Sequence, residues 1–370
     1  MSDYAAVLDE AFTPRIKELV AGAEEDGRFP REVIERLGAA GVFAHKWRDR
    51  TLPDIACLVE LGERLGGLTS LGISVGVSLH DAAIAMLRRF GRTPYLARLA
   101  DEAIAGRSVL CIGASESGGG SDLSRARSTA TPEGDGFRLR GHKKFVSLSP
   151  VADVVLLVAQ VADGLGVFAV PLDRLTVGRS YRTVGTKCLD TAPLEFDVHV
   201  PADAVVGRTG TGLAVISFGL AHERLSVAGQ VVGLCDVALG VTVARMKRRE
   251  QFGAALFDHQ ALRLRVADLS ARVDVLRWAL RGLAQQQRLD IRTASGFKVT
   301  AARLGNEVLS ECMHIFGGAG YLHDESPVGR WFVDMKLGRV GGGADEVLWE
   351  LVAAGLKPDF ARYDELVHEH

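Results

Sequence analysis

The sequence predicts an α+β fold in three parts: a helical N-terminal domain over residues 1–107, a central antiparallel β domain over 108–207 and a C-terminal helical bundle over 208–370. Three observations predict it. Apolar residues recur at helical spacing through the first part. Short runs rich in Val, Leu and Phe, broken by PEGDG, ADGLG and VGTK, fill the second. Long proline-free stretches with an apolar stripe fill the third.

In order, LDEAFTPRIKELVAGAEE and REVIERLGAAGV carry helical spacing, with Pro30 suited to a first turn and Gly38 and Gly41 ending the segment. LPDIACLVELGERLGG and SLHDAAIAMLRRFG continue it. FRLRGHKKFVSLS, ADVVLLVAQV, GVFAVPLDRL and APLEFDVHVPADAVVG read as strands. The helices of the third part are Phe218–Gly253, HQALRLRVADLSARVDVLRWALRGLAQQQR, SGFKVTAARLGNEVLSECMHIFGGAG and DEVLWELVAAGL. In the first of these, Leu225, Ala228, Val232, Cys235, Leu239 and Val243 form one stripe. Glu223 and Arg224 stand at its start and Arg249 at its end, on the order of 39 Å apart at helical rise. They cannot serve one compact site, so either a long ligand spans them or one end belongs to the site of a neighbouring subunit.

At 47% hydrophobic and 24% charged, with a net charge of -2 and no basic run, the composition excludes nucleic acid or an anionic membrane as an expected partner. Cys57, Cys111, Cys188, Cys235 and Cys312 are odd in number and contain no CxxC pair, which fits reduced thiols in a cytoplasmic protein and no metal site. The N-terminus lacks the apolar segment of a secretory signal. No run reaches the roughly 18 apolar residues of a membrane span.

Several stretches carry possible chemistry. Ala114–Asp122, ASESGGGSD, has three glycines that let backbone N–H groups approach an anionic ligand, and Ser115 and Ser121 add hydroxyls. By itself it reads more readily as a connecting loop, and it is neither a dinucleotide fingerprint nor a Walker loop. RREQFG, Arg248–Gly253, places a guanidinium where it could chelate a pyrophosphate or merely answer a helix dipole. Glu223 reads first as an acid favoured near a helix start. HIFGGAGYL and VGGGADEVL are glycine clusters at helix ends.

Taken together, these pieces resemble the acyl-CoA dehydrogenase family over nearly the whole chain. ASESGGGSD resembles the family's TEPGAGSD, KKFVSLSPVAD its KMWITNGGVAD, RREQFG its RKQFG, and HIFGGAGYLHDESPVGRWFVD its QIHGGYGYTREYPVERLYRD. The resemblance implies an FAD enzyme that takes a proton from the carbon α to a thioester and passes hydride from the β carbon to the flavin. It places Ile112, Ser115 and Ser121 along the flavin, Phe145 in place of a Trp against the isoalloxazine, and Ser147 in place of a Thr at N5. It assigns Arg249, Phe252, Gln260, His314, Gly317 and Gly318 to the pyrophosphate and adenosine from a neighbouring subunit. A homo-oligomer, dimer or tetramer, follows, with a flavoprotein or oxygen as electron acceptor and CoA or a carrier protein holding the acyl group.

The chain also departs from that pattern. Where most relatives carry the base in YEGT, it reads Gly341-Gly342-Gly343-Ala344. A branch resembling the isovaleryl, long-chain and prolyl-carrier-protein dehydrogenases places its glutamate in an ERL segment, matched here by Glu223-Arg224-Leu225. Glu223 is therefore the expected base, with Ser121, Arg224, Gly342 and Gly343 around the substrate and the Gly342 N–H available to the thioester oxygen. AHKWRDRTLPD, and Val333 in place of an Arg, imply an unusual substrate side. The loss of the usual base keeps an alternative open: a flavin-dependent monooxygenase on the same fold.

Overall fold

The computed structural model describes residues 3–47, 51–120 and 122–367, beginning with a helical layer. Helices α1 (Asp3–Ala11) and α2 (Pro14–Asp26) divide a stretch that the spacing runs together, because Pro14 has no amide hydrogen and takes a first turn. Helix α3 (Glu32–Ala39) hands over to α4 (Val42–His45) at Gly41, φ 78°. Helix α5 (Ile55–Gly66) starts where the Asp54 carboxylate accepts from the amides of Ala56 and Cys57, and α6 (Leu71–Phe90) where the Ser70 hydroxyl accepts from Ile73. Helix α7 (Pro94–Ile104) is not evident from the apolar spacing; its cue is local, a Thr93 cap with Pro94 at the first helical position.

Strands β1 (Leu110–Gly113), β2 (Thr129–Glu133), β3 (Gly136–Ser147), β4 (Val154–Val161), β5 (Gly164–Pro171), β6 (Thr176–Val177) and β7 (Thr191–Pro201) form a curled sheet ordered β1-β4-β2-β3-β7-β6, with β5 also paired to β4. The pairs β2–β3, β3–β7, β4–β5 and β6–β7 are antiparallel as expected. The purely antiparallel expectation needs one correction: β1 runs parallel to β4, Leu110 opposite Val154, and β2 meets β4 in parallel at Thr129 and Gln160. The long connection that holds the β2–β3 hairpin removes the tight-turn constraint between β1 and β4. Residues 154–159 of β4 are buried throughout, which is why VVLLVA is continuous rather than alternating.

The third part holds α8 (Gly212–Arg248), a small hairpin of β8 (Glu250–Gln251) and β9 (Ala254–Ala255), α9 (Gln260–Gln286), α10 (Ile291–Phe316), α11 (Gly318–Tyr321), α12 (Val328–Asp334), α13 (Asp345–Ala353) and α14 (Phe360–Leu366). Helix α8 begins before the expected Phe218, so Glu223 lies in its interior and the helix-start explanation for that acid fails. Residues 221–235 of α8 are all buried. The cause is a backbone-close crossing with α5: a methyl group at Gly62 or Gly66 would overlap the Ser226 or Gln230 carbonyl, and one at Gly229 or Gly233 would overlap the carbonyls of Val59 or Glu63. Helices Leu71–Phe90 and Gly212–Arg248 are long and apolar enough by composition to cross a membrane, which corrects the count of apolar runs, but 83% and 67% of their most apolar windows are buried inside the protein.

Candidate active site

Glu223 is 4% exposed, and its Oε2 has no hydrogen-bond partner among the described residues. Burial pushes its carboxyl above the ordinary range, against the opposing pull of the Arg224 and Lys298 cations. Facing it is the glycine segment before α13. A Cβ built on Gly342 would stand 2.6 Å from Glu223 Oε2 and 3.2 Å from its Cδ. The carboxylate of α8 therefore occupies the space that a side chain at 342 would enter. Gly342 has φ 63° and Gly343 φ 112°, conformations that a side chain disfavours.

Two buried cations hold this segment. Arg224 Nε donates to the Gly342 carbonyl at 2.8 Å and its Nη1 to Ser295 Oγ at 3.1 Å. Lys298 Nζ donates to the Gly343 carbonyl at 2.7 Å. Burial brings Lys298 down to about 8, with Glu223 and Asp345 opposing the fall. Lys298 and Ser295 are site residues that motif matching misses. The available signal is positional: Lys298 falls on the buried face of α10 with Ala294, Ala301, Ala302 and Gly305, where an unpaired lysine is costly.

A second cluster lies at β3. The register of β3 against β7 slips between Lys143 and Val146, and at that bulge Phe145 takes φ 57°, an outlier for a bulky residue. Its ring is 61% exposed, 5.3 Å from that of Tyr181. Ser147 Oγ lies 3.0 Å from Thr191 Oγ1. The Ser115 carbonyl accepts from the Lys144 amide at 2.9 Å, joining the ASESGGGSD segment to this bulge, while Ile112 lies half-buried in β1. Ser121 lies outside the described residues.

That join is anchored by a buried ion pair, Lys143 Nζ to Glu116 Oε1 at 2.6 Å, with the Arg127 and Ser128 amides also donating to Glu116. Burial alone would raise the Glu116 carboxyl, but these donors outweigh it and hold the group at about 2. A carboxyl so lowered contributes stability that is present above its ordinary range and lost as pH falls toward about 2. Lys143→Met is expected to cost about 3–5 kcal/mol by leaving the buried carboxylate without its cation. Denaturant unfolding at pH 7 checks it; a loss under about 1 kcal/mol would contradict the anchoring role.

The remaining residues gather at the far end of the helical bundle. Arg249 follows α8 and accepts, through its carbonyl, from the Leu256 amide across the β8–β9 turn, where Phe252 stands 98% exposed at φ 54°. Gln260 opens α9 and is exposed. His314 lies in the last turn of α10, Gly317 caps it and Gly318 opens α11; here Arg245 Nη2 donates to the Phe316 carbonyl at 2.8 Å and ties α8 to α10. Among the described residues, apart from chain neighbours and the local helix backbone, no atom lies within 4 Å of a Cβ built on Gly317 or Gly318. The uninterrupted helix from Glu223 to Arg248 keeps this end on the order of 38 Å from the carboxylate. Glu223, Arg224, Gly342 and Gly343 are thus together, whereas the Arg249 group is apart from them.

Within AHKWRDRTLPD, Lys46 and Trp47 are buried. Lys46 is buried in an ion pair with Asp81 at 2.5 Å, and the Trp47 ring lies parallel to that of His222, beside Glu223 in sequence. Residues 48–50 lie outside the described residues.

Residues 111–198 match the family description "Acyl-CoA dehydrogenase, middle domain" and residues 210–357 match "Acyl-CoA dehydrogenase, C-terminal domain". The chain is 58% identical to Acyl-[acyl-carrier-protein] dehydrogenase MbtN of Mycolicibacterium paratuberculosis, covering 98% of this chain and 96% of that one. It is 28% identical to the mitochondrial long-chain specific acyl-CoA dehydrogenase of Mus musculus, over 91% of this chain and 81% of the relative. Among solved structures, a probable acyl CoA dehydrogenase from Mycobacterium abscessus superposes with a TM-score of 0.88 at 26% identity, over 96% of this chain and 98% of that one. With two family regions in order and a relative this similar over almost its whole length, the chain belongs to the acyl-CoA dehydrogenase family.

Proposed function

We propose that this protein is an FAD-dependent oxidoreductase that introduces a double bond between the α and β carbons of an acyl thioester, with Glu223 as the base. One observation carries the reading: the Glu223 carboxylate fills the space that a side chain at Gly342 would need. A monooxygenase would need no such buried carboxylate. The name shared by the most similar relatives supports a chain carried on an acyl carrier protein as substrate, with CoA thioesters as the second form.

The residues fit the cofactor. Phe145 offers an exposed ring on a strained bulge, the Ser115 carbonyl meets the adjoining Lys144 amide, Ser147 lies two residues along the strand, Ile112 is in β1, and Ser121 belongs to the same glycine segment as Ser115. Arg249, Phe252, Gln260, His314 and the open Gly317 and Gly318 suit a pyrophosphate and adenosine held across a subunit interface in a homo-oligomer. When bound, FAD supplies the two-electron acceptor for hydride. Glu223 takes the α proton; the electrons of that C–H bond form the new double bond as the β C–H pair leaves as hydride. The raised carboxyl of Glu223 suits proton abstraction near neutral pH. The Gly342 N–H receives the negative charge that develops on the thioester oxygen. Arg224 shapes the pocket and holds the glycine turn. The electron acceptor is a flavoprotein or oxygen, and the enzyme works in the cytoplasm.

Anaerobic flavin reduction tests the substrate. An acyl chain loaded on a carrier protein is expected to bleach the flavin, whereas straight-chain acyl-CoAs react slowly. Reduction by those CoA esters at rates of order 10 per second would refute the carrier preference. For the interface, Arg249→Ala is expected to lower retained FAD or loosen the oligomer. A monomer on gel filtration that keeps stoichiometric FAD would refute the shared site.

A further inference from the structure

The glycine turn opposite Glu223 has a second property. The N–H groups of Gly342, Gly343 and Ala344 have no acceptor among the described residues, although Val340 and Gly341 just before them both donate to Leu337. Three successive N–H groups without an acceptor among the described residues, two of them on glycines with positive φ, leave this turn with donors to offer an oxyanion. Glycines do not hold such a shape unaided, because they give up more conformational freedom on ordering than any other residue. The carbonyls of the same turn are gripped from behind, Gly342 by Arg224 and Gly343 by Lys298. A trans peptide directs its C=O and N–H to opposite sides. The grips on the Gly342 and Gly343 oxygens therefore fix the two peptide planes that follow Gly342, and with them the turn in which the Gly342 N–H stands.

We propose that Lys298 is a positioning residue for the reaction: by donating to the Gly343 carbonyl it fixes, with Arg224 on the Gly342 carbonyl, the glycine turn that carries the Gly342 N–H, the group that receives the thioester oxygen. The proposal rests on the dehydrogenase reading above. Arg224 is itself held at Ser295, so the clamp is braced on α10 from two positions one turn apart. The charged groups around Lys298 are Glu223 and Arg224 from α8, Asp345 at the start of α13 and Arg339 just before it. With Lys298 near 8, its charge, and with it the strength of the clamp, declines as pH rises past that value.

The test uses the FAD-loaded enzyme and a panel of saturated acyl-pantetheine thioesters, with matching 3-thia esters. The 3-thia esters have sulfur at the β position and cannot give hydride, but their acidified α proton can still be removed, and the resulting enolate beside oxidised flavin absorbs at long wavelength. Lys298→Met is expected to cut both flavin reduction and the enolate band at least tenfold at unchanged FAD content. Lys298→Arg, which keeps the cation, should stay within about threefold of wild type and lose the fall in enolate band above about pH 8. Lys298→Met within twofold of wild type in both readouts overturns the proposal. So does an equal loss in the Met and Arg variants, which marks a merely structural role. Should the Met variant not fold, Lys298→Gln takes its place with the same expected losses, and Gln within twofold of wild type in both readouts overturns the proposal. A wild type that no ester in the panel reduces refutes the dehydrogenase reading instead, and this proposal with it.

Discussion

Glu223→Gln is expected to slow anaerobic flavin reduction by about two to four orders of magnitude, the scale of removing a general base. Glutamine keeps the size of the side chain and its place against Gly342 but accepts no proton. FAD content should be unchanged, because the carboxylate lies in the middle of the buried α8 segment and far from the Arg249 end. The pH profile provides the sign. The base works only when ionised, so the wild-type rate should rise with pH through a midpoint above the ordinary carboxylate range, because burial raises Glu223. A raised carboxyl contributes stability that is present at low pH and lost as pH rises through its folded-state value. Neutralising it should therefore not lower the thermal midpoint. A Gln variant reduced at the wild-type rate would place the base elsewhere.

Gly342→Glu, with Glu223 retained, is expected to lose at least about a hundredfold in flavin reduction, because it puts two carboxylates into one buried space where both cannot ionise. The new Cβ alone would press on Glu223 Oε2, and the left-handed backbone at φ 63° adds a cost of roughly 1–2 kcal/mol for any side chain. Moving the base calls for Glu223→Ala with Gly342→Glu, since Gln at 223 would still fill the space. The double variant should recover part of the rate lost in Glu223→Ala, limited by how well the glycine turn fixes the relocated carboxylate. A single Gly342→Glu variant that kept full activity would show that the two positions do not share one space.

Much of this was legible in the residues. Apolar spacing located α5, α9 and α10 because each buries a stripe against its neighbours, and it located α8 although residues 221–235 of that helix are buried on every side; VVLLVA marked β4 as a strand, while its cover on both faces came from the structure. Local chemistry beneath the resolution of spacing was harder to read: the Pro14 break between α1 and α2, and α7 with its Thr93 cap. The parallel entry of β1 was hidden as well, because strand direction depends on which distant segments meet.

The sequence by itself determined the order of helical and strand segments, the family, and the pairing of a missing carboxylate at Gly342 with a present one at Glu223, since these are properties of residue type and spacing along one chain. Only the tertiary structure decided that these two positions face one another across a gap too small for both side chains. It alone revealed that Lys298 reaches the Gly343 carbonyl. The reason is physical: burial and contact between α8, α10 and the turn before α13 depend on backbone-close packing through Gly62, Gly66, Gly229 and Gly233, and no pattern along the chain encodes which carbonyl a buried cation will meet.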